Sequence, residues 1–450
     1  MGAVPLDSLS GIVGSGHLST DPEVLAARSV DWTGRYRGRA GALVRPRDTA
    51  QVAAVLGVCR AAGVAVTVQG GRTSLVAGAV PEHDDVLLST ERLTDIGAVD
   101  AVERQLKVGA GVTLRALQRV AASAGLLFGV DLAARDSATV GGMVATNAGG
   151  LRTVRYGCMR EQVVGLEVAL PDGTVLRRHP HVRSDNTGYD LASLFVGAEG
   201  TLGVVTAIDL RLHPVPARRV TALCGFGDLD ALVAVTRRLR DVATVAALEL
   251  IDGRGAALAA EHLDTPAPVA GDWLLLAELA GDTDPTAQLA TALAGAALCA
   301  APAVSIDGAG RKRLWQLRES MAEAVTVFGP PVKFDVSLPL SAIASFNAAS
   351  ASLLDRLVGQ AIPVLFGHVG EGNLHLNVLR CAQDDESRIY SPMLELIAAH
   401  GGNVSSEHGV GSRKRRYLGM SRQPEDIAAM RAVKAAFDPT GYLNPAVLFD

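Results

Sequence analysis

Cysteine is scarce in this chain of 450 residues: five are present, Cys59, Cys158, Cys224, Cys299 and Cys381, widely dispersed. None forms a C-x-x-C pair and the count is odd, so a disulfide framework is not indicated. Free thiols in a reducing compartment are the simplest account, and a cytoplasmic location is expected. Cys158 lies in a glycine-rich region, yet reads as a small packed residue before a nucleophile. An excess of charge is also lacking. The formal net charge of -5 gives no reason to expect nucleic acid or an anionic membrane surface as partner. The basic run Arg413-Lys414-Arg415-Arg416 reads as a solvated helix start. The longest uncharged run, Pro285–Ile306, is rich in Ala and Gly and broken by Pro302. It predicts a buried helix followed by a strand, not a transmembrane segment. No basic region followed by an apolar one opens the chain, so no signal peptide is expected. Internal repeats and low-complexity tracts are absent.

The length leaves room for two or three domains and a sizeable core, with hydrophobic residues at 48%. After an irregular start, a helix is expected near Pro22–Ala27. Strand Ala42–Arg45, a helix capped by Asp48-Thr49 and running to about Arg60, and strand Val64–Val68 make a β-α-β opening. The loop Gln69-Gly70-Gly71-Arg72-Thr73-Ser74-Leu75-Val76-Ala77-Gly78 follows. Paired glycines after a strand let backbone amides approach an anion, and a diphosphate is the natural guest. The loop matches neither the Walker pattern nor the Rossmann fingerprint, and Gly-Gly also marks ordinary turns, so both readings stay open. Strands Val86–Leu88 and Gln105–Val108 and helix Leu114–Ala122 lead to the densest small-residue run, Ser137–Gly150. It is suited to a flat ligand lying against the main chain. Strand Val163–Leu170 turns at Pro171-Asp172-Gly173-Thr174 into Val175–Arg177. His179-Pro180-His181 is a possible metal pair that reads better as a loop. A polar, glycine-rich stretch through Gly197–Thr206 enters a strand ending near Leu212, and His213-Pro214-Val215-Pro216 marks a domain boundary.

Beyond that boundary, helices Leu229–Leu239 and Ala287–Leu298 alternate with strands Ala246–Ile251 and Trp273–Glu278. The pattern predicts helices over one antiparallel sheet. Arg318 lies on a helix and Lys333 in strand Val332–Leu338, ahead of a helix over about Leu340–Leu357. The stretch Phe366-Gly-His-Val-Gly-Glu-Gly-Asn-Leu-His-Leu-Asn377 then reads as strand, glycine turn, strand. Alternation points His375 and Asn377 to one side and Leu374, Leu376 and Val378 to the other, and a hairpin brings His368 back beside His375. Ser405-Ser406-Glu407-His408-Gly409-Val410-Gly411 supplies a carboxylate. Two imidazoles and one carboxylate, His368, His375 and Glu407, suit a catalytic divalent metal with open positions, leaving His408 as a candidate base. The plainer alternative is two core histidines and a surface Glu-His pair. The tail carries a helix near Pro424–Phe437 and is expected to pack back on the first domain.

Together these segments resemble the vanillyl-alcohol-oxidase-type flavoproteins, and within them the FAD-linked D-2-hydroxyacid dehydrogenases. The resemblance covers Asp31 to Leu448 and rests on the order and spacing of the loops quoted above, with Leu317-Arg318-Glu319 and Leu443-Asn444-Pro445. It implies an α+β fold: a two-subdomain FAD-binding (PCMH-type) domain over 1–216, an α+β substrate and metal-binding domain with an antiparallel sheet over 217–405, and a short helical C-terminal segment over 406–450. It implies non-covalent FAD, since Arg72-Thr73 stands where some relatives attach flavin to a histidine. Gly70, Gly71, Arg72, Thr73, Ser74, Gly78, Ser137, Gly142, Asn147, Gly150, Val205 and Asn444 match flavin-lining positions. His368, His375 and Glu407 match the ligands of a divalent metal, usually zinc. Arg318, Lys333, Asn377 and His408 match substrate groups, with His408 the catalytic base. The implied partners are a small 2-hydroxy acid, an electron acceptor such as an electron-transfer flavoprotein or a quinone, and a second copy in a homodimer. One departure stands out: the hydroxyglutarate enzymes carry Thr one helical turn after the site arginine, and here Ala322 replaces it. The expected activity is oxidation of a D-2-hydroxy acid, D-2-hydroxyglutarate first and D-lactate as alternative. A zinc hydrolase and a non-catalytic flavin- or metal-binding subunit are the rival classes.

Overall fold

The structure is a computed structural model that describes residues 2–179, 186–382 and 385–449. Two compact units share the chain. The first comprises Met1–Gly149, Tyr156–Val215 and Glu407–Asp450; the second comprises Gly150–Arg155 and Pro216–Ser406.

The first unit holds two four-stranded sheets. In one, Ala40–Val44, Asp85–Ser89 and Val66–Gln69 run parallel, with Leu18–Ser19 antiparallel at the edge. Helix Thr49–Ala61 makes the crossover between them, and its first turn is closed by Asp48, which accepts from the Gln51 N–H at 2.8 Å. In the other sheet Gln105–Gly109, Val204–Arg211, Val163–Ala169 and Val175–Arg178 are all antiparallel. The Asp172-Gly173 turn joins the last pair, with Gly173 at φ 85°, where a side chain is disfavoured. The start of the chain is not irregular: Leu6–Val13 is a helix burying Leu9 and Val13. No side chain caps it and Gly11 sits inside it, so its stability comes from packing rather than local propensity. The densest glycine run also forms a helix, Val140–Ala145, capped by Thr139. The tail returns to this unit through Val66, whose N–H donates to the Tyr442 carbonyl at 2.9 Å.

The second unit is one seven-stranded, wholly antiparallel sheet. Its order is Ala303–Ser305, Arg218–Phe226, Trp273–Gly281, Val245–Asp252, Ile362–His368, Asn373–Leu379, Val332–Ser337. Strand Arg218–Phe226 and helix Gly253–His262 were not foreseen from the sequence. Helices cover both faces rather than one. Phe334 stacks on Tyr390 of helix Asp385–Ala399 at 5.1 Å, while its strand neighbours Lys333 and Asp335 point the other way. On that other face helices Gly253–His262 and Gly308–Glu319 pack around Leu223, Leu276, Ile251, Val364 and Phe366. Each large side chain buried there contributes about 1.5–3 kcal/mol. A charged group at the same depth therefore needs a bonded partner.

Candidate active site

Strand register sets the polar part of that face. Lys333 lies opposite Asn377, Asp335 opposite His375, and Ser337 opposite Asn373. Across the hairpin, His375 faces Phe366 and Asn373 faces His368. His368 is thus one step off register from His375, not directly beside it. Both still project from the same face, and their rings meet edge-on with centroids 5.4 Å apart. Gly367 and Gly372 shape the turn: Gly372 has φ 76°, and a Cβ on it would lie 2.0 Å from the Leu338 carbonyl oxygen.

A carboxylate that sequence reasoning missed organises this face. Glu249, fully buried, accepts from the His368 Nδ1–H at 2.7 Å and from the Arg318 Nε–H at 2.8 Å. Burial by itself would push its carboxyl up; the charges of His368 and Arg318 and their hydrogen bonds hold it below the usual range. A glutamate inside the apolar run Ala246–Ile251 was the available signal. Asp335 was missed too, although it alternates with Lys333 on one strand. Its Oδ2 accepts from the N–H of Ser406 at 3.0 Å, and Glu407 and His408 are the next two residues. Arg318 is buried and stands 4.9 Å over the Phe366 ring. The Asn377 amide donates to the His375 carbonyl at 3.2 Å.

In the first unit, the loop after strand Val66–Gln69 is the candidate anion site. Among the described residues, the backbone N–H groups of Gly71, Arg72, Thr73, Ser74 and Leu75 donate to no protein acceptor. Such a run of unspent amides fits a diphosphate. Gly71 lies so close to the Ser137 carbonyl that a Cβ there would sit 1.9 Å from it. A Cβ on Gly70 would lie 3.6 Å from Gly142, so Ser137 and the small-residue helix that follows it stand against the loop. Arg72, at φ 55°, turns its side chain back to the Ala27 carbonyl at 2.9 Å. The Ser74 hydroxyl accepts from Gly78 N–H at 3.4 Å. Asn147, at φ 49°, accepts from the Arg160 N–H at 2.9 Å, Val205 is buried in its strand, and Gly150 belongs to the second unit. Asn444 spends its amide inside the unit, accepting from Val68 N–H and donating to the Glu199 carbonyl, both at 2.8 Å.

Glu199 in turn fixes the segment after His408. Its two oxygens accept from the N–H groups of Val410 and Gly411 at 2.8 Å each. Burial pushes its carboxyl up, against those two bonds and the charge of Lys414. The Glu407 and His408 side chains approach to 3.6 Å. The basic run beyond is solvated only in part: Arg416 is exposed, Arg413 and Arg415 are half-buried, Lys414 is buried, and burial brings Arg413 down to about 10. Local charge gave no sign of this, because Arg413 is covered by a residue distant in sequence, the Tyr36 ring at 4.9 Å. Cys59 and Cys224 are buried, with thiols pushed up to about 12, and Cys158 is half-buried. Of the possible pair at His179, residues 180 and 181 lie outside the described residues.

The model for "FAD linked oxidases, C-terminal domain" matches residues 215–448, and that for "FAD binding domain" matches 40–178. The chain belongs to the FAD-linked oxidases. It is an FAD-dependent D-2-hydroxyacid dehydrogenase, an oxidoreductase acting on CH–OH donors. It is 38% identical to the mitochondrial D-2-hydroxyglutarate dehydrogenase of Bos taurus, over 96% of this chain and 80% of that protein. It is 33% identical to the D-2-hydroxyglutarate dehydrogenase of Stutzerimonas stutzeri, over 99% and 98%. A putative mitochondrial D-lactate dehydrogenase of Schizosaccharomyces pombe is 33% identical, over 95% and 85%. In fold it is similar to p-cresol methylhydroxylase, with TM-score 0.78 and 18% identity over 99% and 96% of the two chains. It is similar also to 4-ethylphenol oxidase from Gulosibacter chungangensis, with TM-score 0.78 and 16% identity over 99% and 96%. The expected PCMH-type α+β fold is the one observed, and FAD is the cofactor of this dehydrogenase. The glycine-rich stretches 69–78 and 137–150 both lie inside the span matched by the FAD binding domain.

Proposed function

We propose that this dehydrogenase oxidises D-2-hydroxyglutarate to its 2-oxo acid with the help of a divalent metal, zinc in the first instance, held by His368, His375 and Glu407. The observation that carries the reading is the register of the second sheet, which lines up Lys333, Asn377, His375, Asp335 and His368 on one face over which Arg318 is clamped. The donor set suits a metal. With Nδ1 of His368 given to Glu249, its Nε2 is the ligand nitrogen, an arrangement common where histidine binds metal. Bound FAD supplies the hydride acceptor, and a bound cation supplies charge that favours an ionised 2-hydroxyl.

The chain's own groups do the rest. Arg318 offers a planar fork and Lys333 a point charge to substrate carboxylate. Asn377 holds a substrate oxygen by its amide. His408 takes the hydroxyl proton as the Cα hydride departs. The electrons leave to an electron-transfer flavoprotein or a quinone, and the assembly is a homodimer. A second reading, D-lactate as substrate, is favoured by Ala322, which offers no hydroxyl to a second carboxylate.

Anaerobic titration of the oxidised protein with D-2-hydroxyglutarate, D-lactate, D-malate and glycolate decides between them. The reading expects the visible flavin band to bleach at the lowest concentration with D-2-hydroxyglutarate. Bleaching by D-lactate alone replaces it with the second reading. Full bleaching that neither zinc nor a chelator alters removes the metal.

A further inference from the structure

Glu249 has two carboxylate oxygens, and the structure gives each one partner from a different element. Oε1 receives Nδ1–H of His368 from strand Ile362–His368, and Oε2 receives Nε–H of Arg318 from helix Gly308–Glu319. Its own strand, Val245–Asp252, is buried along its whole length, and the side chain of Glu249 is 0% exposed against 8% for Arg318 and 6% for His368. Its neighbours Leu248 and Leu250 alternate to the opposite face. A carboxylate at this depth is costly, and a leucine would serve packing better.

We infer that Glu249 is a positioning residue for the reaction: one carboxylate sets both the tautomer and orientation of His368 and the plane of the Arg318 guanidinium. The inference rests on the roles given to His368 and Arg318 in the proposed function. A carboxylate only accepts, so Nδ1 of His368 must carry a proton, and Nε2 is the nitrogen that would give its lone pair to a metal when the ring is in its neutral form. On the other side, Nε is the inner nitrogen of the guanidinium. Holding it there, with Phe366 beneath the plane, leaves the two Nη groups as a fork. Neither Nη has an acceptor among the described residues. Because a single side chain serves both, the spacing between ligand nitrogen and carboxylate fork is fixed by Glu249 rather than by the backbone alone.

Glu249→Gln separates the arms, since a carboxamide has one acceptor oxygen and presents N–H to whichever partner it does not serve. The holoenzyme of this variant is compared with the unsubstituted one for FAD content, zinc affinity by chelator competition, and KM and kcat for D-2-hydroxyglutarate. The expected result is a zinc dissociation constant raised about 10–100-fold, a raised KM and unchanged FAD content. Unchanged zinc affinity together with unchanged KM overturns the inference. The double variant Glu249→Gln with Arg318→Met tests a merely charge-balancing role. Zinc affinity that stays weak supports positioning of His368, and affinity restored to the original value overturns it. If Glu249→Gln does not fold, Glu249→Asp keeps the charge but falls short in reach, and is expected to weaken both arms; values equal to the unsubstituted enzyme overturn the inference. An unsubstituted enzyme that neither holds zinc nor responds to it sinks the metal reading instead. The Arg318 arm is then judged by KM alone.

Discussion

Asn444 donates its side-chain N–H to the carbonyl of Glu199, 245 residues earlier, at 2.8 Å. Glu199 has φ 50°, a conformation a glutamate adopts only when its surroundings enforce it. The same Asn444 amide accepts from Val68 N–H, at the end of the strand that feeds the Gly70-Gly71 loop. Asn444 thus ties the backbone that enters the proposed diphosphate loop to the backbone of Glu199. Asn444→Ala would strand a buried donor and a buried acceptor, at about 1–3 kcal/mol each. It is expected to lower stability in denaturant titration and to release FAD earlier in the transition. Unchanged stability would refute this role.

Gly71→Ala tests the loop directly. The added methyl would sit 1.9 Å from the Ser137 carbonyl oxygen, and backbone on both sides must move. The variant is expected to be purified with much less FAD than the parent, while the second unit keeps its fold. Absorbance at the flavin band relative to protein is the measurement.

His408→Ala is expected to keep FAD bound while turnover falls by roughly 10²–10⁴-fold, the range for a lost general base. The Val410 and Gly411 N–H groups remain on Glu199, so the segment should hold its shape. Single-turnover flavin reduction separates chemistry from product release. Near-normal reduction would remove His408 as the base.

Glu278 provides a pH test away from the site. Burial would push its carboxyl up, but the hydrogen bond from Trp315, the charges of Arg219 and Arg311, and the Thr221 hydroxyl hold it below the ordinary 4.5. A depressed folded value means its stabilisation is present above the unfolded pKa and lost as pH falls through the folded one. Glu278→Gln should therefore cost about 1–3 kcal/mol at pH 7. The gap to the parent should narrow as the medium is acidified below 4.5. A gap independent of pH would contradict the assignment.

Much of the architecture was legible because it is written in short-range pattern. Period-two alternation gave strand Asn373–Leu379 and the facing of His375 and Asn377. Asp48 and Thr49 marked the start of helix Thr49–Ala61, and Pro424 that of helix Pro424–Phe437. Helix Leu6–Val13 escaped because no side chain caps it and Gly11 sits inside it, although Leu6, Leu9 and Val13 recur at helical spacing; tertiary packing supplies what propensity does not. The Arg413–Arg416 run misled for a similar reason: charge alone does not say which other segments will cover it.

The amino-acid order alone determined most of the element types, the glycine turns and the side chains proposed to bind flavin, metal and carboxylate. These depend on local sterics and on residue chemistry. It did not determine which strand lies beside which, since pairing in an antiparallel sheet is settled by the burial of whole faces. Only the folded sheet sets Glu249 against His368 and Arg318, 119 and 69 residues away. A carboxylate buried at that depth becomes tolerable only when both partners arrive.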